Sequence, residues 1–215
     1  MEFKNRIEAA LKLVEHLQEQ KNKNPLVLAI PRGAVPMARI IANELRGELD
    51  VALVHKVGHP SNSEFAMASV NEEGDIFLGA PNRYGLSEAD IKILAAKEIK
   101  KLQQKRKQYT PHHKPIDPKN RVVIIVDDGI ATGSTMLAAM RSLQAKKPAR
   151  IIVATPVASS QAVKSILSEG AEMVTLQIPQ TFLSVGDFFK DFSQVTDEEV
   201  MRILKNEDKG SDVTA

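Results

Sequence analysis

Two adjacent carboxylates, Asp127 and Asp128, come directly after the apolar run Val122–Val126, and a hydroxyl-rich stretch, residues 132–135, follows within a few positions. The unbroken run of β-branched side chains predicts a strand that is buried on both faces of a parallel sheet. Ser134 suits the N-cap of a helix that follows. A strand, a loop and a helix N-terminus in this order form an anion site, because free backbone N–H groups and the positive end of the helix dipole point into the loop.

The residue types in this loop suit different parts of a sugar phosphate. Gly133 lets the backbone approach a phosphate closely, and three hydroxyls can donate to phosphate oxygens, those of Thr132, Ser134 and Thr135. The two carboxylates instead suit sugar hydroxyls or a divalent cation. The alternative is an ordinary turn between strand and helix, in which an aspartate serves only as a cap. The length of the pattern favours the binding site.

This stretch resembles the phosphoribosyl-pyrophosphate (PRPP) signature of type I phosphoribosyltransferases, in which an apolar strand, two acids, a short linker and Ala-Thr-Gly-x-Thr follow one another. The resemblance implies that the acids hold the ribose hydroxyls and Mg²⁺, the metal through water, while the Thr-Gly loop holds the 5′-phosphate. Gly129 departs from the pattern, since an aliphatic residue is usual there. The PRPP-binding positions assigned in this way are Asp127, Asp128, Ala131, Thr132, Gly133, Ser134 and Thr135.

Length and composition limit the class of protein. The chain has 215 residues, of which 43% are hydrophobic and 26% charged, and this favours one globular α/β domain. A net charge of +2 gives no support for a general nucleic-acid binder. The absence of cysteine excludes disulfides and thiolate metal sites. Neither a signal-peptide core nor an apolar run of membrane-spanning length is found, so we expect a cytoplasmic protein without a membrane partner.

Apolar runs and helical periodicity alternate along the chain, which predicts a doubly wound, mostly parallel sheet flanked by helices. The predicted strands cover residues 26–30, 50–54, 122–126, 151–155 and 172–178. The predicted helices cover residues 3–20, 36–45, 88–108 and 161–167, with a last helix that begins at Thr196. Ligands on such sheets bind beyond the carboxyl ends of the strands. We therefore expect one ligand to be surrounded by the polar segments that follow three of these strands, residues 31–33, 55–58 and 127–135.

Two cations complete the site that the resemblance implies. Arg32 and Gly33 follow the first strand, where the family carries its pyrophosphate loop, often with a non-proline cis peptide; by position that bond is Pro31–Arg32. Arg32 would offer diphosphate a planar, permanently charged fork, and Lys56 a second cation. Together with the two aspartates they form the expected catalytic set. The alternatives are a plain turn with a solvated arginine, and a solvated lysine.

The expected domain boundaries follow from the same reasoning. Residues 1–205 are expected to form a single domain, and the polar tail, residues 206–215, to be frayed. Residues 59–85 stand where the family carries a flexible loop that closes over PRPP, and they suit a hairpin of residues 65–70 with 75–78. No role is assigned to three polar residues near this segment, His55, His59 and Glu64.

Two further segments allow more than one interpretation. Lys97, Lys101 and Lys105 share a face of the long helix, and a solvated face explains them better than a nucleic-acid site, because stacking aromatics are almost absent. Residues 179–195 form the candidate hood over the acceptor. Four phenylalanines there can either stack on a flat ring or form a small hydrophobic cluster, namely Phe182, Phe188, Phe189 and Phe192.

Taken whole, the chain resembles one bacterial branch of this superfamily, up to about residue 204. The resemblance implies an Mg²⁺-dependent enzyme that transfers the phosphoribosyl group of PRPP to a small nitrogen acceptor, a nucleobase in the first instance. Ala131 stands where 6-oxopurine salvage enzymes carry an aspartate that protonates the purine, so transfer to hypoxanthine or guanine is disfavoured. The alternative from another class is a PRPP- or nucleotide-sensing regulator without turnover. The oligomeric state is left open, and a homodimer is allowed.

Overall fold

Eight strands lie in the part of the chain that the computed structural model describes, residues 2–78 and 86–205, with the backbone alone for residues 62–66. In chain order they are β1 (Leu26–Ala29), β2 (Glu48–Val51), β3 (Val54–His59), β4 (Asn62–Asn71), β5 (Ile76–Leu78), β6 (Val122–Val126), β7 (Arg150–Val157) and β8 (Glu172–Gln177). Five of them form a parallel sheet in the order β2-β1-β6-β7-β8. The predicted α/β fold with a mostly parallel sheet is confirmed.

The register of β1 and β6 brings together the two polar segments that follow these strands. Ala29, the last residue of β1, is the partner of Val126, the last residue of β6. The segments that follow them, residues 30–33 and 127–135, therefore leave the same edge of the sheet side by side. Side chains along β6 alternate between the two faces: Ile124 packs into one buried cluster and Ile125 into the other. Burial on both faces is what the β-branched run predicted.

The helices cover this sheet on both faces. They are α1 (Arg6–His16), α2 (Val35–Leu45), α3 (Glu88–Tyr109), α4 (Ser134–Gln144), α5 (Ser160–Ser168) and α6 (Asp197–Leu204), with short 3₁₀ turns at Gln18–Gln20 and Gly186–Phe188. Side chains of α1, α2, α3 and α6 contribute to one buried cluster, and those of α4 and α5 to the other. No helix in residues 2–78 and 86–205 is long and apolar enough to cross a membrane.

A second, antiparallel sheet in the order β3-β4-β5 corrects the prediction for residues 50–58. We predicted a strand over residues 50–54 and a polar loop at 55–58. Instead, the last hydrogen bond to β1 runs from the Ala52 N–H to the carbonyl of Ala29, which is the last residue of β1. Residues 54–59 then pair with β4, so Lys56 lies within a strand. The predicted hairpin is confirmed, since Ala68 pairs with Leu78.

The helix ends confirm some local predictions and correct one. Ser87 and Asp90 form a capping box at the start of α3, and the Thr196 side chain accepts from the Glu199 N–H at the predicted start of α6. The prediction that Ser134 caps α4 was wrong. Gly133 is the N-cap, at a φ of 78°, a left-handed conformation that glycine adopts without steric cost. Predictions for residues 79–85 and for the tail, residues 206–215, lie outside the described residues.

Candidate functional site

The segments that follow β1 and β6, residues 30–33 and 127–135, touch at Gly33 and Asp128. A Cβ atom on residue 33 would lie 1.9 Å from Asp128 Oδ2 and 3.1 Å from Arg6 Nη2. Only a glycine leaves room for the carboxylate at that point, so the identity of residue 33 is set by this close approach. The structure thus brings together two of the predicted site residues that are far apart along the chain.

Asp127 and Asp128 differ in their surroundings although they are neighbours in sequence. The Oδ1 atom of Asp127 accepts the N–H of Asp128 at 2.9 Å, and no other hydrogen bond reaches Asp127 from a described side chain. Burial, and then the charge of Asp128, raise the pKa of Asp127 well above its ordinary value. Asp128 instead forms an ion pair with Arg6, at 2.7 Å. Among the described residues, the first carboxylate therefore has no cation as a partner, and the second has one.

The hydroxyl-rich loop is held at the N-terminus of α4. The carbonyl of Ala131 accepts from the Ser159 hydroxyl at 2.6 Å, and the Ile130 N–H donates to Val157 at 2.9 Å. These bonds fix the loop to β7 and to the start of α5. The exposed hydroxyls of Thr132 and Ser134 lie 3.1 Å apart. Together with the first N–H groups of the helix, they form an arrangement that can bind a phosphate.

The peptide bond between Pro31 and Arg32 is cis, at the position where the sequence predicts one. The Arg32 guanidinium lies 3.7 Å from Asp197 Oδ1 at the start of α6. Tyr109 donates its hydroxyl hydrogen bond to the same carboxylate. That hydrogen bond is the main cause of a lowered pKa at Asp197, while burial, followed by the bond to Asp197, raises the pKa of Tyr109. Arg32 is thus tied to the last helix, which sequence reasoning did not anticipate.

A cavity of about 410 Å³ opens between the cis-peptide loop, the start of β3 and α3. This volume lies within the range of small-molecule sites, roughly 300–1,000 Å³. Its wall contains the predicted residues Lys56 and Thr135, together with Pro31. It also contains residues that sequence reasoning did not assign to a site, namely His55, Glu98, Lys101 and Lys105. The cations of α3 that we interpreted as a solvated face therefore include two that line this cavity.

Lys56 also lines a second, smaller cavity of about 170 Å³, which includes Ser134 and Arg141. Lys56 thus lies between the loop of residues 127–135 and the larger cavity. Glu98 balances part of the positive charge, because it pairs with Lys101 at 2.8 Å and lies 3.5 Å from the His55 ring. Three lysine side chains and one carboxylate around a cavity favour an anionic ligand.

Arg6 contacts the predicted site residue Asp128 but was not itself predicted from the sequence. It is the first residue of α1, where Asn5 caps the helix by accepting from the Glu8 N–H. The side chain is 11% exposed and donates from Nε and Nη2 to Asp128 Oδ2, at 2.9 and 2.7 Å. The local pattern shows only an arginine at a helix start, so nothing in the sequence signals a partner 122 positions away.

The phenylalanines of the candidate hood pack mainly against one another. Phe189 lies 5.4 Å from the Phe3 ring and 4.9 Å from the Phe192 ring, and Phe182 lies 5.4 Å from Phe188. One face of Phe192 is covered by the Arg6 guanidinium, 3.8 Å from the ring centroid. Of the two interpretations left open, the small hydrophobic cluster describes these contacts.

The structure also explains the departure at Gly129. A Cβ atom there would lie 2.3 Å from Val185 Cγ1, so the side chain of the hood segment fills the space above the acidic loop. An aliphatic group is therefore present at this place, contributed by another part of the chain. The unusual glycine was a signal in the sequence that a distant side chain packs there.

The model of the phosphoribosyl transferase domain family matches residues 3–188. The chain belongs to this family. A crystal structure of TT1426 from Thermus thermophilus is 40% identical, covers 96% of this chain and 99% of its own, and superposes with a TM-score of 0.87. A structure from Neisseria gonorrhoeae with bound ppGpp shares the fold at 12% identity and a TM-score of 0.51, over 96% of this chain and 98% of its own.

Two Mycobacterium tuberculosis proteins are similar to nearly the whole chain, and both are named "Putative phosphoribosyl transferase". Each is 32% identical over 204 residues, which is 94% of this chain and 46% of the relative. The chain therefore spans about half the length of these curated relatives. Family membership assigns the phosphoribosyl transferase fold to the segment described here.

Few side chains in the described part of the chain could hold Mg²⁺. No group of three or more histidine, cysteine, aspartate or glutamate side chains suited to a metal ion occurs in the described part of the chain. Asp127 and Asp128 nevertheless fit Mg²⁺, which proteins commonly hold through one or two carboxylates, waters and the phosphates of a substrate. Because burial and a like charge raise the pKa of Asp127, a nearby cation would stabilise its charged form.

Proposed function

We propose that this domain transfers the 5-phosphoribosyl group of PRPP to a nitrogen acceptor, a nucleobase in the first instance, and releases pyrophosphate. The observation that carries the proposal is the meeting of three features at one edge of the sheet: the hydroxyl-rich loop at the start of α4, the carboxylate pair Asp127–Asp128, and the cavity lined by Lys56, Lys101 and Lys105. A ligand with a phosphate, a ribose and a diphosphate suits this sequence of groups.

Each part of the site then has a role. The Thr132, Ser134 and Thr135 hydroxyls and the α4 N-terminus bind the 5′-phosphate, with Gly133 and Ala131 shaping the loop. Asp127 and Asp128 bind the ribose hydroxyls, and Gly33 leaves the space for Asp128. Arg32 and Lys56 bind the diphosphate. Lys101 and Lys105 add charge at the cavity wall.

In the transfer, the bond from C1 of the ribose to the pyrophosphate oxygen breaks and its electron pair leaves with the diphosphate. A bond from C1 to the acceptor nitrogen forms, and the proton of that nitrogen passes to solvent. The cations of the cavity stabilise the charge that accumulates on the departing diphosphate. The two carboxylates face the ribose, where positive charge develops. Asp127 and Asp128 would hold Mg²⁺, which would supply further charge neutralisation.

The acceptor is constrained by what stands near the ribose acids. Ala131 has no group that could donate a proton, which disfavours the 6-oxopurine mechanism. Residues 1–205 are proposed as a single domain, with residues 59–85 as its flexible loop or hairpin over PRPP and residues 179–195 as its hood. We also propose a cytoplasmic location, since a polyanion such as PRPP does not cross a lipid bilayer and a cell must use it where it is made. The oligomeric state, including a homodimer, stays undecided.

The first experiment measures the melting temperature of the protein with PRPP, with and without Mg²⁺. Two adjacent carboxylates repel each other, so PRPP with Mg²⁺ should raise the melting temperature clearly, and PRPP with a chelator much less. A panel of purine, pyrimidine and other acceptors, followed by pyrophosphate release and nucleotide products, then tests turnover. Equal stabilisation with and without metal contradicts the proposed site.

The cavity lysines provide a second prediction. Lys101→Gln and Lys105→Gln should each weaken PRPP about two- to fivefold at low salt, the effect expected of a partly exposed charge of about 0.5–1 kcal/mol. The loss should shrink at high salt. Ribose 5-phosphate, which lacks the diphosphate, should bind to both variants as tightly as to the wild type. PRPP should bind to the control variant Lys97→Gln with wild-type affinity. Equal losses with both ligands would place the diphosphate elsewhere.

The second candidate function is a regulator that binds PRPP or a nucleotide without turnover. A protein of the same fold holds ppGpp, and this keeps nucleotide binding open for the fold, although at 12% identity the likeness concerns the fold alone. Tight PRPP binding without product from any acceptor of the panel would favour the regulator. Product formation with one acceptor would exclude it.

A further inference from the structure

Arg6 joins three segments that are far apart in the chain. Two of its N–H groups donate to Asp128 Oδ2, and Nη1 donates to the carbonyl of Ser193 at 2.8 Å. The guanidinium also stacks on Phe192. The start of the chain is fixed to the same hood segment by backbone bonds, since Phe3 donates to Phe188 and accepts from Lys190, both at 2.8 Å. The position of the arginine is therefore determined on several sides.

The contacts of Asp128 are unequal between its two oxygens. Oδ2 receives both guanidinium donors and lies where a side chain on Gly33 would collide with it. Oδ1 receives no hydrogen bond from any described residue. One oxygen is thus held by the protein, and the other remains available to a ligand. Two N–H groups of Arg6 likewise have no acceptor among the described residues.

We propose that Arg6 is a positioning residue: it holds one oxygen of Asp128, leaves the other for the ribose hydroxyls, and supplies inside the protein part of the charge that Mg²⁺ would otherwise supply alone. This inference rests on the proposed function, because it concerns how the ribose of PRPP is bound. Its physical basis is the repulsion between the adjacent carboxylates of Asp127 and Asp128, which a cation 2.7 Å from one of them reduces. PRPP binding should then depend less on Mg²⁺ than a bare pair of carboxylates would require.

The test compares PRPP dissociation constants in saturating Mg²⁺ and in chelator by titration calorimetry. The quantity of interest is the dissociation constant in chelator divided by the dissociation constant in Mg²⁺. In Arg6→Gln this ratio should be at least about fivefold larger than in the wild type, which corresponds to an ion pair of about 1 kcal/mol. Arg6→Lys keeps the charge without the fork and should fall between them. Lys4→Gln, which removes an exposed cation two residues away, is the matched control and should keep the wild-type ratio.

The outcomes separate this inference from the proposed function. If the wild type does not bind PRPP with or without metal, both fail. If the wild type binds PRPP and Arg6→Gln keeps its ratio, only the role of Arg6 fails. A general structural defect would weaken binding equally in both conditions and leave the ratio unchanged, so it cannot imitate the expected result.

A measurement without PRPP covers the case in which Arg6→Gln folds poorly. Urea unfolding of Arg6→Gln, Asp128→Asn and the double variant forms a double-mutant cycle. Because each single change leaves a charge without its partner, the double variant should lose clearly less stability than the two single losses added together. Additive losses would show that the pair is not coupled and would overturn the inference.

Discussion

Arg6 and Arg106 are equally buried, with side chains 11% exposed, and each belongs to a cluster with two carboxylates. Arg106 uses all of its N–H groups. Its acceptors are Asp50, Glu72, Thr110 and the carbonyl of Val51. Arg6 uses three donors, two of them on a single oxygen. The same residue type is thus saturated in one cluster and only partly used in the other.

The carboxylates of the two clusters differ in the same way. Asp50 is 1% exposed, and both of its oxygens have partners: one accepts from Arg106 and the Val51 N–H, the other from the Ile116 N–H. Asp127 has the Asp128 N–H as its hydrogen-bond partner and no cation among the described residues. A saturated polar cluster stabilises a fold, whereas a partly satisfied one gains most from a ligand. The number of hydrogen-bonding groups left without a partner thus distinguishes the structural cluster around Arg106 from the proposed binding site around Asp128.

The largest expected effect is on stability. Arg106→Leu leaves Asp50 and Glu72 buried without a cation, which should cost about 3–5 kcal/mol of unfolding free energy. At about 2–4 °C per kcal/mol for a domain of this size, the melting temperature should fall by roughly 10 °C. Arg6→Leu should cost less, because Asp128 can be relieved by solvent, and Lys107→Gln, on the exposed face of α3, should cost almost nothing. Equal losses at Arg6 and Arg106 in urea unfolding would remove the distinction.

The next effect should appear in binding without a loss of stability. Thr132→Val removes one hydroxyl donor to the phosphate, worth roughly 1.5–3 kcal/mol, so PRPP and ribose 5-phosphate should both bind about tenfold to a hundredfold more weakly. Asp128→Asn should instead lower the dependence of PRPP binding on Mg²⁺, opposite in sign to Arg6→Gln, with less effect on the affinity for simple phosphate. If both variants bind PRPP like the parent, residues 127–135 form only a structural turn.

The smallest effect concerns the pH dependence of stability without ligand. Since the pKa of Asp127 is raised in the folded state, folding favours its protonated form, and that contribution is lost as the pH rises through the folded pKa. Asp127→Asn should therefore be more stable than the parent at pH 7.5, by about 1 kcal/mol or 2–4 °C, and nearly equal to it at pH 4.

Asp50→Asn is the matched comparison for that change, because it weakens the saturated cluster. It should lower the stability at pH 7.5, opposite in sign to Asp127→Asn. Urea unfolding of both variants at the two pH values checks the pair. A gain in stability from both substitutions, or a loss from both, would contradict the assignment of one carboxylate to binding and the other to structure.

Local patterns determined much of the fold and part of the site. The run Val122–Val126 had to be a strand buried on both faces, because β-branched residues without alternation suit no other element of that length. Parallel strand order then placed residues 31–33 beside 127–135. The close approach of Gly33 to Asp128 agrees with that placement.

Tertiary packing alone decided which side chains complete the site. Arg6 reaches Asp128, Val185 fills the space above Gly129, and two lysines of α3 line the cavity. Lys56 enters the cavity from a strand of the second sheet, which sequence reasoning had taken for a loop. Hydrophobic periodicity predicts which face of a helix or strand is buried. It does not predict which distant residue packs against that face. Those partners are selected by close packing and charge pairing once the sheet and its helices are assembled.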